Sequence, residues 1–491
     1  MPARDAEPFP RAVLDALDAA ADRPVLEHGA RAVAGAEVLD LVARIAAGLR
    51  GAGLGPGDGV ALLLGVTPEA FAVILAAHAV GARVVGVRPG LPDAQLRHLL
   101  GLDIAAVVTD SGVEHPTLAA TAPRTLTVDS LCAARADSGA LRLAGRPGDV
   151  ARLIHTSGST GVPKACAQTY AAMAAGWAAR PEGWPPAIRE LAPRMERHLV
   201  FGTLSSFVMF EYAVMAIAAG GTAVVAERPE LPGAIVHHRA TSSVVTVPRL
   251  AKLVAAQRRD PADLSSLRAL MVSGSPLTAA RHREALDVLG PVVFHGYGQT
   301  ETGTISMATP GDPPGSVGVP PAAVDVEVRD GRGAPAPVGV DGELFVRTPA
   351  QSSGYWADPE QSADVFADGW VRTRDLGHLD PDGRLHLTGR TRDVVIVNAN
   401  LHYAGPIERV IAEHPDVAEA YVVAAPDEDT GEAVHAFVVP AAGRSPDPAA
   451  LRALVADRLG AACAPTRVTA IAEPPLAPSG KPDKRLLSTE T

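Results

Sequence analysis

The sequence predicts an α/β protein built from two domains, and three observations support this fold class. The chain has 491 residues, more than a single hydrophobic core usually serves. In residues 24–108 and again in 198–295, strand-like runs alternate with helical patterns, as in parallel sheets covered by helices. The pattern is β-like over 315–388 and changes again after residue 391. We therefore predict a large N-terminal domain of layered α/β sheets with a β-rich subdomain, residues 1–390, and a small α+β C-terminal domain, residues 391–491.

The first alternating segment predicts three strands and three helices. The apolar strand-like runs lie at 59–64, 83–87 and 104–108. The helical patterns lie at 37–50, 68–80 and 92–100. The last two begin with proline, whose missing N–H costs nothing at the start of a helix. Residues 111–148 carry weaker patterns, so we predict a looser connection there.

The second alternating segment repeats this arrangement. Its predicted strands lie at 198–203, 222–226, 242–247, 267–272 and 291–295. Its predicted helices lie at 208–219, 248–256 and 276–289. Such alternation favours parallel strands joined by crossover helices. The sheet edge at the carboxyl ends of these strands is where open α/β sheets bind ligands.

The last two segments predict different architectures. Over 315–388, Asp-Gly pairs at 330–331, 341–342 and 382–383 predict tight turns between β-strands. Beyond residue 391 we predict strands at 394–397, 417–424 and 433–439 and helices at 406–413 and 448–459. A compact unit of about one hundred residues has the size of a small domain.

Composition excludes several classes of partner. The net charge is 44 − 55 = −11 without a basic run, which argues against a nucleic-acid partner. The three cysteines, Cys132, Cys166 and Cys463, are too far apart for a disulfide framework or a C-x-x-C metal site. Residues 1–10 lack the apolar segment of a signal peptide, and the apolar runs are too short to cross a bilayer. We expect a cytoplasmic protein without a membrane partner.

A Gly/Ser/Thr-rich stretch predicts a phosphate-binding loop. The strand-like run 150–154 leads into the sequence His155-Thr156-Ser157-Gly158-Ser159-Thr160-Gly161-Val162-Pro163-Lys164. The alanine-rich stretch 165–179 follows without an internal proline and predicts a helix. A strand, a loop and a helix present N–H groups and hydroxyls to phosphate oxygens. The order of a Walker A loop is absent, and composition alone equally fits a polar surface loop.

A second motif lies at the end of a predicted strand, in Tyr297-Gly298-Gln299-Thr300-Glu301. Tyr297 has a ring that can stack on a purine, and Thr300 has a hydroxyl that can donate to a phosphate oxygen. Glu301 supplies a hard carboxylate suited to Mg²⁺. Taken alone, the motif equally fits a strand-to-loop turn in which Glu301 is solvated.

Two further motifs precede and end the predicted C-terminal domain. Asp375 lies in Gly369-Trp370-Val371-Arg372-Thr373-Arg374-Asp375-Leu376-Gly377, and Arg390 follows a glycine fifteen residues later. Lys481 ends the stretch Pro478-Ser479-Gly480-Lys481. An isolated lysine in a terminal loop is ordinarily a solvated tail residue.

Taken in order, these four motifs resemble those of the adenylate-forming superfamily, which contains acyl-CoA synthetases, adenylation domains of peptide synthetases and luciferases. The resemblance covers residues 24–486, with the motifs in the family's order and spacing. It implies an ATP-dependent, AMP-forming ligase for a carboxylic acid, with Mg²⁺ as cofactor. It also implies that the C-terminal domain is a mobile lid.

The resemblance implies a role for each motif residue. Asp375 accepts hydrogen bonds from both ribose hydroxyls, Arg390 approaches the nucleotide, and Arg392 is the hinge. Lys481 is the catalytic lysine and acts with Thr300 and Glu301, and Glu301 also binds the metal. The other implied ATP- and AMP-binding residues are Thr156, Ser157, Gly158, Ser159, Thr160, Gly161, Lys164, Gly274, Ser275, Pro276, Gly296, Tyr297 and Gly298.

The chemistry of this reaction explains the lysine. Attack of a carboxylate on the α-phosphate of ATP joins two anions, and negative charge builds on the phosphoryl oxygens. A cation delivered at that moment stabilises the transition state. The lid can then rotate and remove Lys481 before an acceptor displaces AMP. A non-catalytic nucleotide-binding protein, the rival interpretation, would not require this lysine.

The acid is predicted to be aromatic or apolar. In amino-acid-activating relatives an aspartate binds the substrate's ammonium group, and that position falls on Phe207. Without an anion there, an α-amino acid is disfavoured. The predicted acid pocket comprises Phe207, Val208, Met209 and Ser273, beside Gly274 and Gly296. The alternative is that Phe207 and Met209 are ordinary core residues.

The acceptor is predicted to be an amine. Thioester-forming relatives usually carry two glycines after the hinge strand, where pantetheine passes, but this chain has Asn398 and Ala399. The usual P-x-x-H segment of acyl-CoA synthetases is also absent around 203–207. A branch of stand-alone amide-bond synthetases, of the marinacarboline type, transfers the acyl group to a free amine, and this chain resembles that branch. CoA and a separate carrier protein remain alternative acceptors.

Overall fold

The computed structural model describes residues 8–488, except for 89, 92, 114–115, 137–140, 157–163, 177, 205, 227–228, 398–399, 428–429 and 478–480. The first third of the chain contains the helices and strands that precede and follow the glycine-rich stretch 155–164. The elements are α1 Arg11–Asp18, β1 Pro24–His28, β2 Arg31–Ala34, α2 Gly35–Gly51, β3 Gly59–Leu63, α3 Pro68–Ala79, β4 Arg83–Gly86, α4 Asp93–Leu100, β5 Ile104–Thr109, α5 Pro116–Thr121, β6 Thr125–Thr127, α6 Val128–Cys132, β7 Val150–Thr156, β8 Lys164–Thr169 and α7 Tyr170–Ala174.

The middle third alternates strands and helices, as the sequence predicts. Its elements are α8 Pro186–Leu191, β9 Arg197–Val200, α9 Phe207–Ala218, β10 Thr222–Val225, α10 Gly233–His238, β11 Ser242–Thr246, α11 Val247–Arg259, β12 Ala269–Ser273, α12 Ala279–Leu289, β13 Val293–Gln299 and β14 Gly303–Ala308. Short 3-10 turns lie at Pro181–Gly183, Ala192–Arg194 and Ala461–Cys463.

The last third is rich in strands and ends in a small α+β unit. Its elements are β15 Asp325–Arg329, β16 Gly342–Arg347, β17 Gly354–Tyr355, α13 Pro359–Val365, β18 Phe366–Ala367, β19 Trp370–Leu379, β20 Leu385–Arg390, β21 Val394–Val397, β22 Asn400–Tyr403, α14 Ala404–Ala412, β23 Val417–Asp427, β24 Gly431–Pro440, α15 Pro448–Leu459, β25 Arg467–Ala470 and α16 Lys484–Leu487.

The strands of the described residues form four sheets. An eight-stranded sheet has the order β14-β13-β12-β11-β9-β10-β1-β2, and a seven-stranded sheet has the order β17-β8-β7-β4-β3-β5-β6. Both are parallel in their centres. The eight-stranded sheet has an antiparallel strand at each end, whereas the seven-stranded sheet is antiparallel only at its β17–β8–β7 end and keeps β6 parallel to β5 at the other. A third sheet joins β15, β16, β19, β18 and β20, and a fourth joins β22, β21, β24, β23 and β25. The predicted α/β fold with a β-rich subdomain and a small α+β unit is confirmed.

The helix α3 lies between the two large sheets. All of its residues except Glu69 are buried, and it packs against β1 of the first sheet and β4 of the second. A helix that is apolar on all sides must be enclosed by protein. Thr67 caps it by accepting a hydrogen bond from the Ala70 N–H at 3.0 Å. One hydrophobic core therefore joins both sheets. None of the described helices combines the length and apolarity that crossing a bilayer requires.

The predicted helix over 165–179 is wrong. The chain forms the strand β8, antiparallel to β7, and only a five-residue helix, α7, follows it. Alanine favours helices by only a few tenths of a kcal/mol over most residues, and pairing with β7 overrides that preference. The loose connection expected over 111–148 also contains α5, β6 and α6.

Candidate functional site

The strands on the two sides of the glycine-rich stretch, β7 and β8, form an antiparallel hairpin. Thr156 at the end of β7 pairs with Lys164 at the start of β8. An anion site at a helix N-terminus, expected from the predicted strand–loop–helix order, is therefore not what this hairpin provides. Of the predicted loop residues, Ser157, Gly158, Ser159, Thr160 and Gly161 lie outside the described residues, as does the side chain of Thr156. Lys164 is described, and its Nζ lies 5.0 Å from the ring centre of Tyr355.

Asp375 is the centre of a hydrogen-bonded cluster. It faces Arg390 directly across the β19–β20 pair, and Arg390 Nε donates to Asp375 Oδ1 at 2.9 Å. Tyr297 Oη donates to Asp375 Oδ2 at 2.7 Å, and Gln299 Nε2 donates to the same oxygen at 2.5 Å. The Asp375 residue is only 5% exposed. Three donors therefore satisfy the hydrogen-bonding capacity of this buried carboxyl group.

Tyr297 and Gln299 are held by the same carboxylate. Burial and the charge of Asp375 raise the pKa of the Tyr297 hydroxyl well above its ordinary value, so it stays a donor. Gln299 Nε2 also donates to the Thr373 carbonyl at 2.9 Å. The sequence analysis gave Gln299 no role, although it lies inside the second motif. Gly298 needs its missing side chain, because a Cβ there would approach the Gly303 carbonyl oxygen to 2.5 Å.

The Thr300–Glu301 turn is fixed by two neighbours. Ser352 donates from its N–H to the Glu301 carbonyl at 2.8 Å and from its Oγ to the Thr300 carbonyl at 3.1 Å. Tyr355 Oη donates to Glu301 Oε1 at 2.8 Å. Tyr355 therefore links Glu301 to Lys164 of the hairpin. Sequence analysis missed Tyr355, whose only available signal was an aromatic pair, Tyr355-Trp356, after a glycine.

Lys481 packs against the backbone of Gly274. A Cβ at 274 would lie 3.2 Å from Lys481 Cε, so the lysine side chain passes close to this backbone, and the φ of +96° at Gly274 favours glycine. The charged side chains close enough to act on the Lys481 ammonium include those of Arg390, Asp375, Glu301 and Arg88. Lys481 retains solvent access, yet desolvation by the packed atoms and then the charge of Arg390 lower the pKa of its ammonium.

The segment that carries Lys481 is anchored on both sides. The Ala477 N–H donates to the Lys481 carbonyl at 2.8 Å, and residues 478–480 lie outside the described residues. Lys484 Nζ lies 2.8 Å from Asp393 Oδ2 and 2.7 Å from Glu408 Oε1. Asp393 is the residue after Arg392 in the turn between β20 and β21. These ion pairs attach the segment that carries Lys481 to the chain that follows Arg392.

The strand end after β12 carries three more predicted residues. Ser275 Oγ is buried and has no hydrogen-bond partner in the part of the chain that the structure describes. Pro276 is exposed beside it. A buried hydroxyl without a partner is costly, so Ser275 is ready to bond a ligand. On the neighbouring strand, a Cβ at Gly296 would approach Met271 Sδ to 3.2 Å and Ser273 Cβ to 3.9 Å, so Gly296 keeps this space open.

The predicted acid-pocket residues separate into two groups. Ser273 and Gly296 lie side by side at the sheet edge. Phe207 begins α9, but its side chain lies outside the described part of the structure. Val208 is half-buried against the main core, and Met209 is buried within it. Met209 is therefore a core residue, as the alternative interpretation predicted.

A charged pair lies one helical turn beyond Phe207. Glu211 Oε1 is 4.0 Å from Arg152 Nη2 of β7. Burial raises the pKa of Glu211 to about 8, which the charge of Arg152 partly opposes. Burial lowers the pKa of Arg152 to about 10. Sequence analysis missed this pair, because the two residues are 59 positions apart (211 − 152).

The small C-terminal unit contacts helix α12 of the large unit through an ion pair. Arg281 of α12 has its Nη2 2.9 Å from Glu419 Oε1 and donates from Nε to the Ala418 carbonyl at 3.0 Å. The two side chains are 16% and 13% exposed. Near the predicted hinge, a Cβ at Gly405 would approach the Thr388 carbonyl oxygen to 2.5 Å. Asn398 and Ala399, predicted for the acceptor channel, lie outside the described residues.

The chain was compared with known protein families. The model of the AMP-binding enzyme family matches residues 15–356. The model of the AMP-binding enzyme C-terminal domain matches residues 406–481. The two matches lie in the order of the large and small units described above.

Similar proteins cover nearly the whole chain. Amide bond synthetase McbA from Marinactinospora thermotolerans has a solved structure that is 35% identical, with a TM-score of 0.86 over 98% of this chain and 99% of that chain. A feruloyl-CoA synthase from Amycolatopsis is 32% identical over 93% of both chains. A fatty acid–[acyl-carrier-protein] ligase, ScoC, from Streptomyces coeruleorubidus is 30% identical over 89% of this chain and 88% of its own. The chain therefore belongs to the AMP-binding enzymes of the adenylate-forming superfamily, and it is an ATP-dependent, AMP-forming ligase.

Proposed function

We propose that this enzyme activates an aromatic or apolar carboxylic acid as its acyl-adenylate and then transfers the acyl group to an amine. The contact of Lys481 with Gly274, within the charges of Asp375, Arg390 and Glu301, carries the first half of this proposal. It brings the lysine to the strand ends at which open α/β sheets bind ligands.

Each residue of the site has a proposed role in activation. Asp375, oriented by Tyr297 and Gln299, accepts hydrogen bonds from the ribose hydroxyls, and Arg390 lies beside the nucleotide. Ser275 donates its unpartnered hydroxyl to the ligand. The acid carboxylate attacks the α-phosphorus, the bond to pyrophosphate breaks, and Lys481 stabilises the charge that develops on the phosphoryl oxygens.

Mg²⁺ fits this site as an ion that enters with ATP. Among the described residues, no group of three His, Cys, Asp or Glu side chains could hold a metal by itself. Glu301, fixed by Tyr355, would supply one carboxylate, the usual mode for Mg²⁺ shared with phosphates. When bound, Mg²⁺ neutralises the departing pyrophosphate.

The second half-reaction is proposed to follow a rotation of the residues beyond about 391, with Arg392 as hinge. The rotation would withdraw Lys481 from Gly274 and admit the acceptor nitrogen, which attacks the acyl carbonyl and displaces AMP. A lysine that stabilises phosphoryl transfer has no role in this step. Alternation of this kind allows one active site to catalyse two reactions.

The similarity to McbA supports an amine as acceptor, because it extends over both units at 35% identity. Asn398 and Ala399, in place of two glycines, support the same choice. The feruloyl-CoA synthase similarity supports CoA as a second candidate. A separate carrier protein is a third, supported by the similarity to ScoC.

A product assay decides between the acceptors. The enzyme receives MgATP and a panel of aryl and aliphatic acids, divided among simple amines, CoA and a phosphopantetheinylated carrier protein, with mass-spectrometric detection. We expect AMP, pyrophosphate and an amide, without thioester. A thioester would assign the enzyme to the CoA ligases, and acyl-AMP that is consumed only by the carrier would assign it to carrier loading. No pyrophosphate with any acid would contradict the proposed activation itself.

The ion pair between Arg281 and Glu419 predicts a difference between the half-reactions. It stabilises the arrangement in which Lys481 contacts Gly274, so Arg281→Ala should slow acyl-adenylate formation by about three- to tenfold, the scale of one partly buried pair. Pyrophosphate release measures this step, and amide formation from purified acyl-adenylate measures the other. Transfer should be unchanged or faster.

The matched control for this interface is Lys252→Ala. Lys252 pairs with Glu473 at 2.9 Å, but both side chains are about two-thirds exposed, at 67% and 66%. Exposed pairs contribute little, so both rates should stay within about twofold of the parent. Equal loss of both half-reactions in Arg281→Ala would show that the pair only stabilises the fold.

A further inference from the structure

Glu211 and Arg152 have no role in the chemistry proposed above. Arg152 Nε donates to Gln168 Oε1 at 2.6 Å, and Gln168 Nε2 donates to the Ala350 carbonyl at 2.8 Å, so the guanidinium is oriented from one side. The Glu211 carboxylate is 4.0 Å from Arg152, too far for a hydrogen bond. No hydrogen bond from the other described residues reaches it. The Glu211 side chain is 21% exposed, and a carboxyl that is largely removed from water without a donor is destabilised, so a donor that fills this gap binds favourably.

The gap is part of a small cavity. Its volume is about 30 Å³, and Glu211, Arg152 and Arg180 form its polar wall. The facing residues are mostly apolar: Phe9, Val13, Met173, Phe210 and Val214. Gly176 leaves room beside the carboxylate, because even a Cβ there would lie 3.9 Å from Glu211 Oε1. One water needs about 10–15 Å³ by this measure, so the cavity admits a group of one or two heavy atoms.

The position of Glu211 relates this cavity to the proposed acid pocket. Glu211 follows Phe207 by four residues on α9, one helical turn, so both lie on the same helix face. The rise of an α-helix separates them by about 6 Å along its axis, about the length of an aromatic ring. An acid whose carboxylate meets the nucleotide near Phe207 would extend its far end toward Glu211.

We propose that Glu211 and Arg152 bind a neutral hydrogen-bond donor at the far end of the acid, such as a ring N–H or a hydroxyl group of an aromatic acid. The proposal rests on the proposed function and names the substrate class of the same site. The donor's hydrogen is accepted by Glu211. Arg152 opposes an ammonium group there, because it places a second positive charge within a few ångströms.

Matched acids test this proposal. Acids with a ring N–H or an aryl hydroxyl are compared with their N-methyl, O-methyl or unsubstituted analogues, by kcat/KM for pyrophosphate release. The parent enzyme should prefer the donor in at least one matched pair by about tenfold or more, since a site that hydrogen-bonds a substrate group discriminates strongly against its absence. No preference in any pair would overturn the proposal.

Variants show which residues cause the preference. Measured above pH 8, where Glu211 with its pKa of about 8 is mostly ionised, Glu211→Gln should lower the preference about threefold to tenfold, because a neutral amide oxygen is a weaker acceptor than a carboxylate. The double variant Arg152→Met with Glu211→Leu removes both charges, avoids a lone buried ion, and should abolish the preference while still activating the unsubstituted acid. Glu190→Leu, at an exposed glutamate, is the control. The ratio of kcat/KM for the two matched acids is taken within each variant, so a smaller fraction of folded protein does not change it.

The outcomes separate this inference from the proposed function. If no acid releases pyrophosphate, the proposed function itself fails. If acids are activated but the double variant keeps the parent's preference, only the role of Glu211 and Arg152 fails. If the double variant does not fold, Glu211→Gln decides, because an unchanged preference there contradicts the proposal.

Discussion

Replacing Lys481 with alanine is expected to slow acyl-adenylate formation by about 10²–10³-fold, the effect of losing one donor to transition-state charge. Lys481 lies against Gly274 and near Asp375, Glu301 and Arg390, and the lost cation is not replaced there. Pyrophosphate release measures this loss. Amide formation from purified acyl-adenylate should be largely spared, because no phosphoryl charge develops in that step.

Lys252→Ala is the matched control for this prediction, since it removes a lysine whose side chain is 67% exposed. Both half-reactions of the control should stay within about twofold of the parent. Equal loss of adenylation and transfer in Lys481→Ala would contradict the alternating role of the lid. An unchanged adenylation rate would show that Lys481 is not the catalytic lysine.

The pKa of Lys481 adds a pH dependence to the same step. Only the protonated lysine supplies a positive charge, and desolvation followed by the charge of Arg390 lowers its pKa below the usual 10.5. The adenylation rate should therefore fall as pH rises through this lowered pKa, while lower pH keeps the group charged. Stopped assays of pyrophosphate release across alkaline pH measure this fall in rate. In Lys481→Ala the fall should disappear, and its persistence there would assign it to another titrating group.

The alternating pattern of the sequence was sufficient to predict the α/β class and most of its strands and helices. Parallel strands and their crossover helices are local apolar patterns, so they can be read without knowing tertiary contacts. The stretch 165–179 could not be read in this way. Its alanines suit a helix, but the antiparallel partner β7 lies across a loop, and pairing with it decides the conformation of β8.

The motif residues could be predicted, but their partners could not. Asp375, Glu301 and Lys481 lie in patterns of fixed order. Tyr355 is 54 residues from the Glu301 carboxylate that it holds, and Tyr297 is 78 residues from Asp375. Glu211 was missed for a related reason. The sequence prediction of the acid considered an acidic residue only at position 207, whereas the structure has the carboxyl group of Glu211 one helical turn farther on, 4.0 Å from Arg152.

Replacing Asp375 with asparagine is expected to raise the KM for ATP by about 10- to 100-fold. Asparagine keeps the volume of the aspartate side chain and one of its oxygens. It removes the negative charge of the carboxylate to which Tyr297, Gln299 and Arg390 donate hydrogen bonds. In the proposed function it also removes an acceptor for the ribose. Hydrogen bonds to a charged group contribute about 1.5–3 kcal/mol each, and one such loss corresponds to this range.

Initial rates of pyrophosphate release at varied ATP measure the effect, and thermal unfolding separates it from instability. The side chain of Arg390 is 64% exposed, so solvent compensates its charge, whereas the weaker hydrogen bond from the buried Tyr297 should lower the unfolding temperature. Asp325→Asn is the matched control, because Asp325 pairs with Arg347 on an exposed face and its loss should leave the KM unchanged. Since Asp375 is proposed to hold the ribose of both ATP and acyl-adenylate, Asp375→Asn should also weaken binding of purified acyl-adenylate. An unchanged KM for ATP, or a loss confined to the acid, would place the ribose elsewhere.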